Sequence, residues 1–320
     1  MSSKSERNDR KVRKKGPFAG SPKPLSGKGS NEVTRTQGKT PHKGARSHER
    51  PVHEGRDRSW TPASDSSNRT EGVPRGRAGP DGDNFVWGRH PVLAALSNPM
   101  RRGMGRLMVT ADRASELQRE GLTHGHAIEI VDTQLLTRML PAGAVHQGMV
   151  FKVQPLEGVE LEALADPASG VIVMLDQLTD PQNVGAIFRS ALAFGARGIV
   201  VQDRHSPALA GALAKAAAGA TERLPCARVT NLSRALEKLA DLGWRAVGLD
   251  GASDQTLEDA LDARPTVLVM GSEGDGLRRL VAEHCDALAR IPMPGGFESL
   301  NVSNAAAVAL YEATRRRGTG

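Results

Sequence analysis

The stretch Ile291-Pro-Met-Pro-Gly-Gly-Phe-Glu-Ser299-Leu300-Asn301-Val302-Ser303-Asn304-Ala305-Ala306 lies close to the end of this 320-residue chain. Its pattern predicts a buried strand, then a Gly-rich loop, then a helix rich in small residues. Polar and apolar side chains alternate from 299 to 303, so an extended chain would point them to opposite sides. Ser303 or Asn304 is then expected to cap the helix. Such a turn offers oriented donors and bare backbone to a ligand, although an ordinary helix cap has the same appearance.

Positive charge is concentrated in the first quarter of the chain. Residues 1–80 carry 19 Lys and Arg against 8 Asp and Glu, a net charge of +11, whereas the remainder carries 24 against 28. This segment is rich in Ser, Gly and Pro and poor in branched apolar residues, so burial cannot offset its ordering entropy. Residues 1–82 are therefore predicted to form a disordered basic tail. The tail is either an arm that binds nucleic-acid phosphates or a solubilising extension.

Several classes of protein are excluded by what the sequence lacks. It contains no run of eighteen apolar residues and no apolar core of a signal peptide, which predicts a cytoplasmic protein without a membrane span. Cys226 and Cys285 do not have the spacing of metal ligands. They are expected to be small buried thiols in a reducing compartment, and no metal is predicted.

The rest of the chain predicts two α/β domains. Strands and helices alternate over residues 83–157, which is the length of one small domain. Gly and Pro return at about 155–169, and residues 166–320 then form the second domain. Short apolar runs from Val171–Leu175 to Leu288–Pro292 alternate there with helical stretches, which indicates a mostly parallel sheet covered on both faces. In such sheets ligands bind beyond the carboxyl ends of the strands.

One loop of the second domain leads into a helix. Asp180 is a natural N-cap and Pro181 a natural first helical residue. Asn183 follows in the first turn. Gly185 and Arg189 lie four residues apart on one helix face, where the missing side chain would let a ligand approach the guanidinium. The alternative is that Arg189 is an ordinary surface charge.

A second loop, Met270-Gly271-Ser272-Glu273-Gly274-Asp275-Gly276-Leu277, follows a late strand. The order of its glycines differs from that of a dinucleotide fingerprint, and it does not open the first βαβ unit of its domain. The chain contains no Walker A sequence. A small-molecule enzyme with a dinucleotide site is therefore disfavoured. Glu273 stands among glycines without a local hydrophobic reason, which indicates a ligand site, although the loop could also be a plain turn.

Taken together, the three loops resemble the three motifs of the SpoU/TrmH branch of the SPOUT RNA methyltransferases in order and spacing. Gly88-x-His90-Pro-Val and His146-Gln-Gly148 are further similar to the bacterial enzymes that methylate the 2′-oxygen of a guanosine in 23S rRNA. The resemblance covers residues 84–317. A transfer-RNA 2′-O-methyltransferase would carry the same three motifs. A non-catalytic RNA-binding assembly factor is a further alternative, which the intact polar residues of the loops disfavour.

The resemblance implies a fold and a set of partners. Residues 83–157 would form an RNA-binding domain similar to ribosomal protein L30e, and residues 166–320 a catalytic domain with a trefoil knot. S-adenosylmethionine would be the methyl donor, RNA the substrate, and a homodimer the active assembly. The implied cofactor contacts are Gly271, Ile291 and Leu300, and the implied catalytic residues are Asn183, Arg189, Glu273, Ser299 and Asn301.

Chemistry limits what Arg189 can do. A ribose 2′-hydroxyl must lose a proton when its oxygen attacks a sulfonium methyl group, and a guanidinium is protonated up to about pH 12. We therefore expect Arg189 to position the substrate and stabilise developing negative charge. Glu273 or a phosphate of the substrate would accept the proton, and Ser299 and Asn301 would orient the ribose or Arg189.

The last helix carries a stripe of small side chains at positions 305, 306, 309, 310 and 313. Such a stripe permits close helix packing. It is either part of the core of its own domain or part of the two-fold interface that the resemblance implies.

Overall fold

A computed structural model describes residues 82–295 and 299–317. Almost all of the predicted basic tail, 1–82, lies outside the described residues, and its disorder stays a prediction. Within the part that is described, no helix is both long and apolar enough to cross a membrane.

The first part of the described chain folds around a four-stranded sheet. Its strand order is β1-β4-β2-β3, with β4 antiparallel to both neighbours and β2 parallel to β3. Apolar side chains on both faces, among them Phe151 and Trp87, are buried beneath the helices. The predicted alternation of strands and helices is confirmed here. The elements are β1 (Phe85–Trp87), α1 (Arg89–Ser97), β2 (Arg106–Val109), α2 (Ala111–Arg119), β3 (Ile128–Ile130), α3 (Thr133–Met139) and β4 (Met149–Lys152).

A six-stranded, fully parallel sheet forms the second part, as the apolar runs predict. The strand order is β10-β8-β9-β5-β6-β7. Every residue of the central strands β5 and β9 is buried, because helices cover both faces. The elements are α4 (Leu161–Ala165), β5 (Val171–Leu175), α5 (Pro181–Ala193), β6 (Gly198–Gln202), α6 (Gly211–Ala216), β7 (Cys226–Val229), α7 (Leu232–Asp241), β8 (Arg245–Leu249), α8 (Leu257–Ala260), β9 (Thr266–Met270), α9 (Arg279–Glu283), β10 (Ala287–Ala289) and α10 (Val302–Arg317). The trefoil knot and the likeness of the first part to L30e stay predictions.

Helix α5 begins where its sequence predicts, but Gly185 has a different role from the one expected. Asp180 accepts hydrogen bonds from the backbone N–H groups of Gln182 and Asn183, and Pro181 is the first helical residue. A Cβ atom at Gly185 would lie 2.6 Å from the carbonyl oxygen of Leu213 on α6. The expectation that Gly185 opens space for a ligand is therefore wrong. The missing side chain lets two helices pack closely.

Helix α10 begins one residue before the first of the predicted caps. It starts at Val302, and the Asn301 side-chain oxygen accepts from the backbone N–H of Ser303 at 3.0 Å. The expectation of a cap at Ser303 or Asn304 is wrong, because the chain turns helical before it reaches them. Val302 is buried as the alternation predicts, whereas Leu300 is 40% exposed.

The small-residue stripe of α10 belongs to the core of its own chain. Four of its five members are buried against the sheet and α5: Ala306, Ala309, Leu310 and Ala313. The opposite face exposes Val308 and Tyr311. The sequence left open whether this stripe belongs to the core or to a two-fold interface. The structure shows that it belongs to the core.

A buried ion pair joins the two α/β parts of the described chain. Arg101, just after α1, donates from Nε to Glu222 Oε2 and from Nη2 to Glu222 Oε1, both at 2.8 Å. The two side chains are 3% and 1% exposed. The third nitrogen, Nη1, donates to the carbonyl oxygen of Gln154 at 2.8 Å, and Asn98 donates to Glu222. Every group of the pair thus has a partner that compensates for lost hydration.

We predict that Glu222→Ala lowers the free energy of unfolding by about 3–5 kcal/mol, because it leaves the Arg101 guanidinium buried without its counter-charge. Urea-induced unfolding monitored by circular dichroism measures this change. Glu162 is the matched control, since its ion pair with Lys238 is more than half exposed. Glu162→Ala should lower the free energy of unfolding much less, because exposed ion pairs contribute little to stability. If both variants lose the same free energy of unfolding, then burial of the Arg101–Glu222 pair does not add to its contribution to stability.

Candidate active site

Three predicted catalytic side chains meet at the carboxyl edge of the parallel sheet. Glu273 Oε1 accepts from Asn183 Nδ2 at 3.0 Å and from Asn301 Nδ2 at 2.7 Å. Asn301 Nδ2 also lies 3.1 Å from Asn183 Oδ1. The backbone N–H of Val302, at the start of α10, points to the same Glu273 oxygen at 3.3 Å. These contacts connect the start of α5, the loop after β9 and the start of α10.

The geometry of residues 271–276, which we call the Glu273 loop, follows from its glycines. Ser272 and Gly276 exchange two backbone hydrogen bonds of 3.1 Å, so the loop closes tightly. Gly274 and Gly276 have φ values of +98° and +66°, a region that side chains disfavour. A Cβ atom at Gly271 would overlap the backbone of Gly276 and Leu277. The loop therefore presents Glu273 at its tip in a defined orientation.

Asn301 has two functions in this geometry. Its side-chain oxygen caps α10 and also accepts from the hydroxyl of Ser303 at 2.6 Å. Its side-chain nitrogen donates to Glu273. The negative charge of Glu273 thereby lies at the positive end of a sixteen-residue helix, an arrangement favoured by the helix dipole.

Two other predicted catalytic residues are not part of this cluster. Arg189 lies six residues beyond Asn183 on α5, which corresponds to about 9 Å along the helix axis. Its side chain is exposed, and within residues 82–295 and 299–317 no hydrogen bond or ion pair is formed by it. Ser299 is also exposed, next to the cluster in sequence. Neither position is contradicted by this arrangement, and both roles stay predictions.

The three predicted cofactor contacts lie in loops at the same edge of the sheet. Gly271 follows β9, Ile291 follows β10, and Leu300 directly precedes Asn301. Ile291 is half-buried and Leu300 is exposed, so apolar side chains and bare backbone are both available to a ligand. Such a combination suits a nucleoside ligand, which needs apolar cover and backbone hydrogen bonds.

The residue that sequence reasoning missed is Asp176. It is completely buried directly after β5 and accepts from the backbone N–H of Arg278 at 2.9 Å and from its Nε at 2.7 Å. A carboxylate placed immediately after the all-apolar run Val171–Leu175 is the signal that could have identified it. Arg278 also donates from Nη2 to Gln202 at 3.1 Å.

A crevice of about 340 Å³ lies beside this ion pair. It is lined by the ends of β6 and β7 and the first residues of α7 and α9. Its polar lining includes Gln202, Asn231 and Arg278. The edge of the sheet that holds the Glu273 cluster therefore also carries an open crevice.

Thiol chemistry is not available at this edge. Burial raises the pKa of Cys285 to about 12, and the neighbouring carboxylates Asp286 and Asp176 act in the same direction. The pKa of Cys226 is also about 12, mainly because of burial. Both thiols are therefore uncharged at neutral pH, and neither is an activated nucleophile. Cys226 is buried as expected, whereas Cys285 is only partly buried.

Comparison with known proteins gives two family matches. The SpoU rRNA Methylase family matches residues 170–311, and the family described as RNA 2'-O ribose methyltransferase substrate binding matches residues 85–159. An uncharacterized tRNA/rRNA methyltransferase of Mycolicibacterium smegmatis is 39% identical over 314 residues, which cover 95% of this chain and 94% of that protein.

Solved structures of other methyltransferases have a fold similar to that of this chain. The SpoU methyltransferase AviRb from Streptomyces viridochromogenes, in complex with AdoMet, has a TM-score of 0.62 and 29% identity over 75% of this chain and 92% of its own. An AdoMet-bound rRNA methyltransferase from Sinorhizobium meliloti has a TM-score of 0.57 and 25% identity, covering 72% and 86%. The parallel sheet, the three loops that meet at Glu273 and these relatives agree, and the chain belongs to the SpoU/TrmH family of RNA methyltransferases.

Proposed function

We propose that this protein transfers a methyl group from S-adenosylmethionine to the 2′-oxygen of a ribose in RNA, and that the target is a guanosine of 23S rRNA. The observation that carries the proposal is the hydrogen-bonded group of Asn183, Glu273 and Asn301. It places polar side chains from three loops together where parallel sheets bind ligands. S-adenosylmethionine is the methyl donor that this family uses.

Each loop would have its own part in the reaction. S-adenosylmethionine supplies an electrophilic methyl group on a positively charged sulfur. The backbone at Gly271 and the apolar side chains of Ile291 and Leu300 would hold the cofactor and exclude water. Asn183 and Asn301, both fixed by Glu273, would orient the ribose, since alignment of the reacting atoms supplies much of the rate acceleration in such transfers.

The proton of the ribose hydroxyl has two candidate acceptors. Oε1 of Glu273 already receives three donors, so only Oε2 remains for the substrate. A phosphate oxygen of the RNA is the other candidate. Arg189 would stabilise the developing negative charge on the ribose oxygen, and Ser299 would help to orient the ribose or Arg189.

The two sheet-containing parts of the chain would have different functions. Residues 83–157 would bind the RNA, in agreement with the substrate-binding family that matches this part, and residues 166–320 would form the catalytic domain. The Lys- and Arg-rich residues 1–82 would add affinity for phosphates without adding sequence specificity. Such a protein would act in the cytoplasm, where ribosomal RNA is methylated in bacteria.

We further propose that the active assembly is a homodimer. Val308 and Tyr311 form an exposed apolar face on α10, opposite its buried stripe, and Leu300 is exposed near its start. In the proposed dimer these side chains would be covered by the second subunit. Arg189, exposed on neighbouring α5, would then complete the active site of the partner subunit.

Mapping of 2′-O-methyl groups in RNA tests the proposed substrate. RNA from a strain that lacks this protein should be missing one such group in 23S rRNA, and the purified protein with S-adenosylmethionine should restore it. Loss of a group from a transfer RNA, with 23S rRNA unchanged, would assign the protein to tRNA instead. An unchanged map, with no methylation by the purified protein, would refute catalysis and favour an assembly factor.

We predict that Gly271→Ala weakens binding of S-adenosylmethionine at least about tenfold, because the new methyl group overlaps the backbone of Gly276 and Leu277 and must displace the loop. Isothermal titration calorimetry measures the dissociation constant. Gly295→Ala is the matched control, since a Cβ atom there meets nothing within 4 Å. Wild-type binding by Gly271→Ala would show that the loop conformation does not control the cofactor site.

A further inference from the structure

Asp176 is a completely buried carboxylate, with an exposure of 0%. It occupies the carboxyl end of β5, one of the two central strands of the parallel sheet. A buried carboxylate is stable only when it is paired and hydrogen-bonded. Here both oxygens are used: Oδ2 accepts the backbone N–H of Arg278 and Oδ1 accepts its Nε.

Both ends of the Glu273 loop are attached to this one residue. The backbone N–H of Asp176 donates to the carbonyl oxygen of Met270, which precedes the loop, at 2.8 Å. Its carboxylate holds Arg278, which follows the loop. Between these points the loop is closed on itself by the Ser272–Gly276 hydrogen bonds. Fixing the two ends therefore fixes the orientation of the whole loop.

Arg278 is held from two sides. Its Nε faces Asp176, and its Nη2 donates to Gln202 Oε1 at the end of β6. The Arg278 side chain is 40% exposed, so it is not needed to fill the core. Its contacts instead connect the end of the Glu273 loop to the ends of the neighbouring strands β5 and β6.

We propose that Asp176 is a positioning residue, which acts through Arg278 to hold Glu273 in contact with Asn183 and Asn301. This inference rests on the proposed function of the Glu273 cluster. The hydrogen-bond partners of Asp176, Met270 and Arg278, belong neither to the cluster nor to the predicted cofactor contacts. Loss of its charge would release the end of the loop and let Glu273 move away from the two asparagines. A displacement of about 1 Å in such a site can reduce turnover about a hundredfold.

The test is Asp176→Asn, which keeps the shape but replaces one acceptor oxygen by an amide NH2 group that faces a donor. Hydrogen exchange should become at least about tenfold faster at the amides of 271–278, while the amides of β5 and β9 keep wild-type protection. The dissociation constant of S-adenosylmethionine should rise, and turnover with RNA from the deletion strain should fall about ten- to hundredfold. Glu162→Gln, a carboxylate-to-amide change in an exposed ion pair, is the control and should change none of these.

A double variant separates positioning from general stability. If Asp176 acts only through Arg278, then Asp176→Asn with Arg278→Gln should be no worse in loop exchange and turnover than the worse single variant. Arg278→Lys keeps the charge and the backbone N–H, so it should retain part of the activity. It also serves as the test if Asp176→Asn does not fold.

Two results would overturn the proposal. One is a folded Asp176→Asn protein whose loop exchange and turnover match those of Glu162→Gln. The other is full additivity of the Asp176 and Arg278 substitutions. A wild-type protein that binds S-adenosylmethionine but methylates no RNA would instead refute the proposed function, and the loop-exchange measurement would still decide the role of Asp176.

Discussion

Glu273→Gln is expected to lower turnover by about ten- to hundredfold while changing the affinity for S-adenosylmethionine much less. The substitution preserves size but removes the charge that holds two asparagine amides and the N–H at the start of α10 on one oxygen. The side chains that orient the ribose then share only a neutral amide oxygen, which holds them more weakly than a carboxylate does. Steady-state methylation at saturating cofactor and RNA, with calorimetric titration of the cofactor, measures both quantities.

The same loop provides a control for this experiment. Asp275 is exposed two residues from Glu273, and Asp275→Asn removes an equal charge from the loop. It should leave turnover within about twofold of wild type, because screened surface charges interact weakly. Turnover that falls equally in both variants would mean that the loop needs net charge and not the Glu273 contacts.

Asn301 requires a variant that separates its two functions. Asn301→Ser retains an N-cap oxygen for α10 but is too short to donate to Glu273. Reduced turnover with unchanged thermal stability would support a role in the active site. Normal turnover in both Asn301→Ser and Glu273→Gln would show that these residues are only structural caps.

The second large effect concerns subunit complementation. Arg189→Ala and Asn301→Ala proteins should each be nearly inactive as homodimers. Equal mixing with subunit exchange should restore about a quarter of wild-type activity, because about half of the dimers are hybrids and each has one intact composite site of its two. The physical basis is the separation of Arg189 from the Glu273 cluster, with the guanidinium exposed on α5.

A second mixture tests the assignment of residues to one subunit. Glu273 and Asn301 contact each other within a single chain, so Glu273→Gln mixed with Asn301→Ala should recover nothing. If neither mixture recovers activity after mass spectrometry has verified subunit exchange, then Arg189 and Asn301 of the same subunit act in one site. A fully active monomer in analytical ultracentrifugation would remove the basis of the homodimer proposal.

Most of the secondary structure could be predicted from sequence, because its signals are local. The apolar runs Val171–Leu175 and Thr266–Met270 are central strands, and Asp180-Pro181 starts a helix at that position. Hydrophobic periodicity, capping side chains and glycines act over a few residues, so they can be interpreted without knowledge of the fold. The resemblance of three loops to one family then indicated which polar side chains to examine.

Contacts between distant parts of the chain could not be predicted in this way. Asn183 and Glu273 are 90 residues apart, Asn183 and Asn301 are 118 apart, and Asp176 and Arg278 are 102 apart. These partners meet because strand order places β5 beside β9 and returns α10 to the same edge.

By itself the sequence determined the class of fold, the positions of the loops and the types of polar group that they carry. Tertiary structure alone decided how these groups are used. It made Gly185 a helix-packing position, buried the small-residue stripe of α10, and gave Asn301 both the cap and the contact to Glu273. The physical reason is that a hydrogen bond or a close helix contact depends on separations of a few ångströms. Only the packed sheet and helices set such distances between residues far apart in sequence.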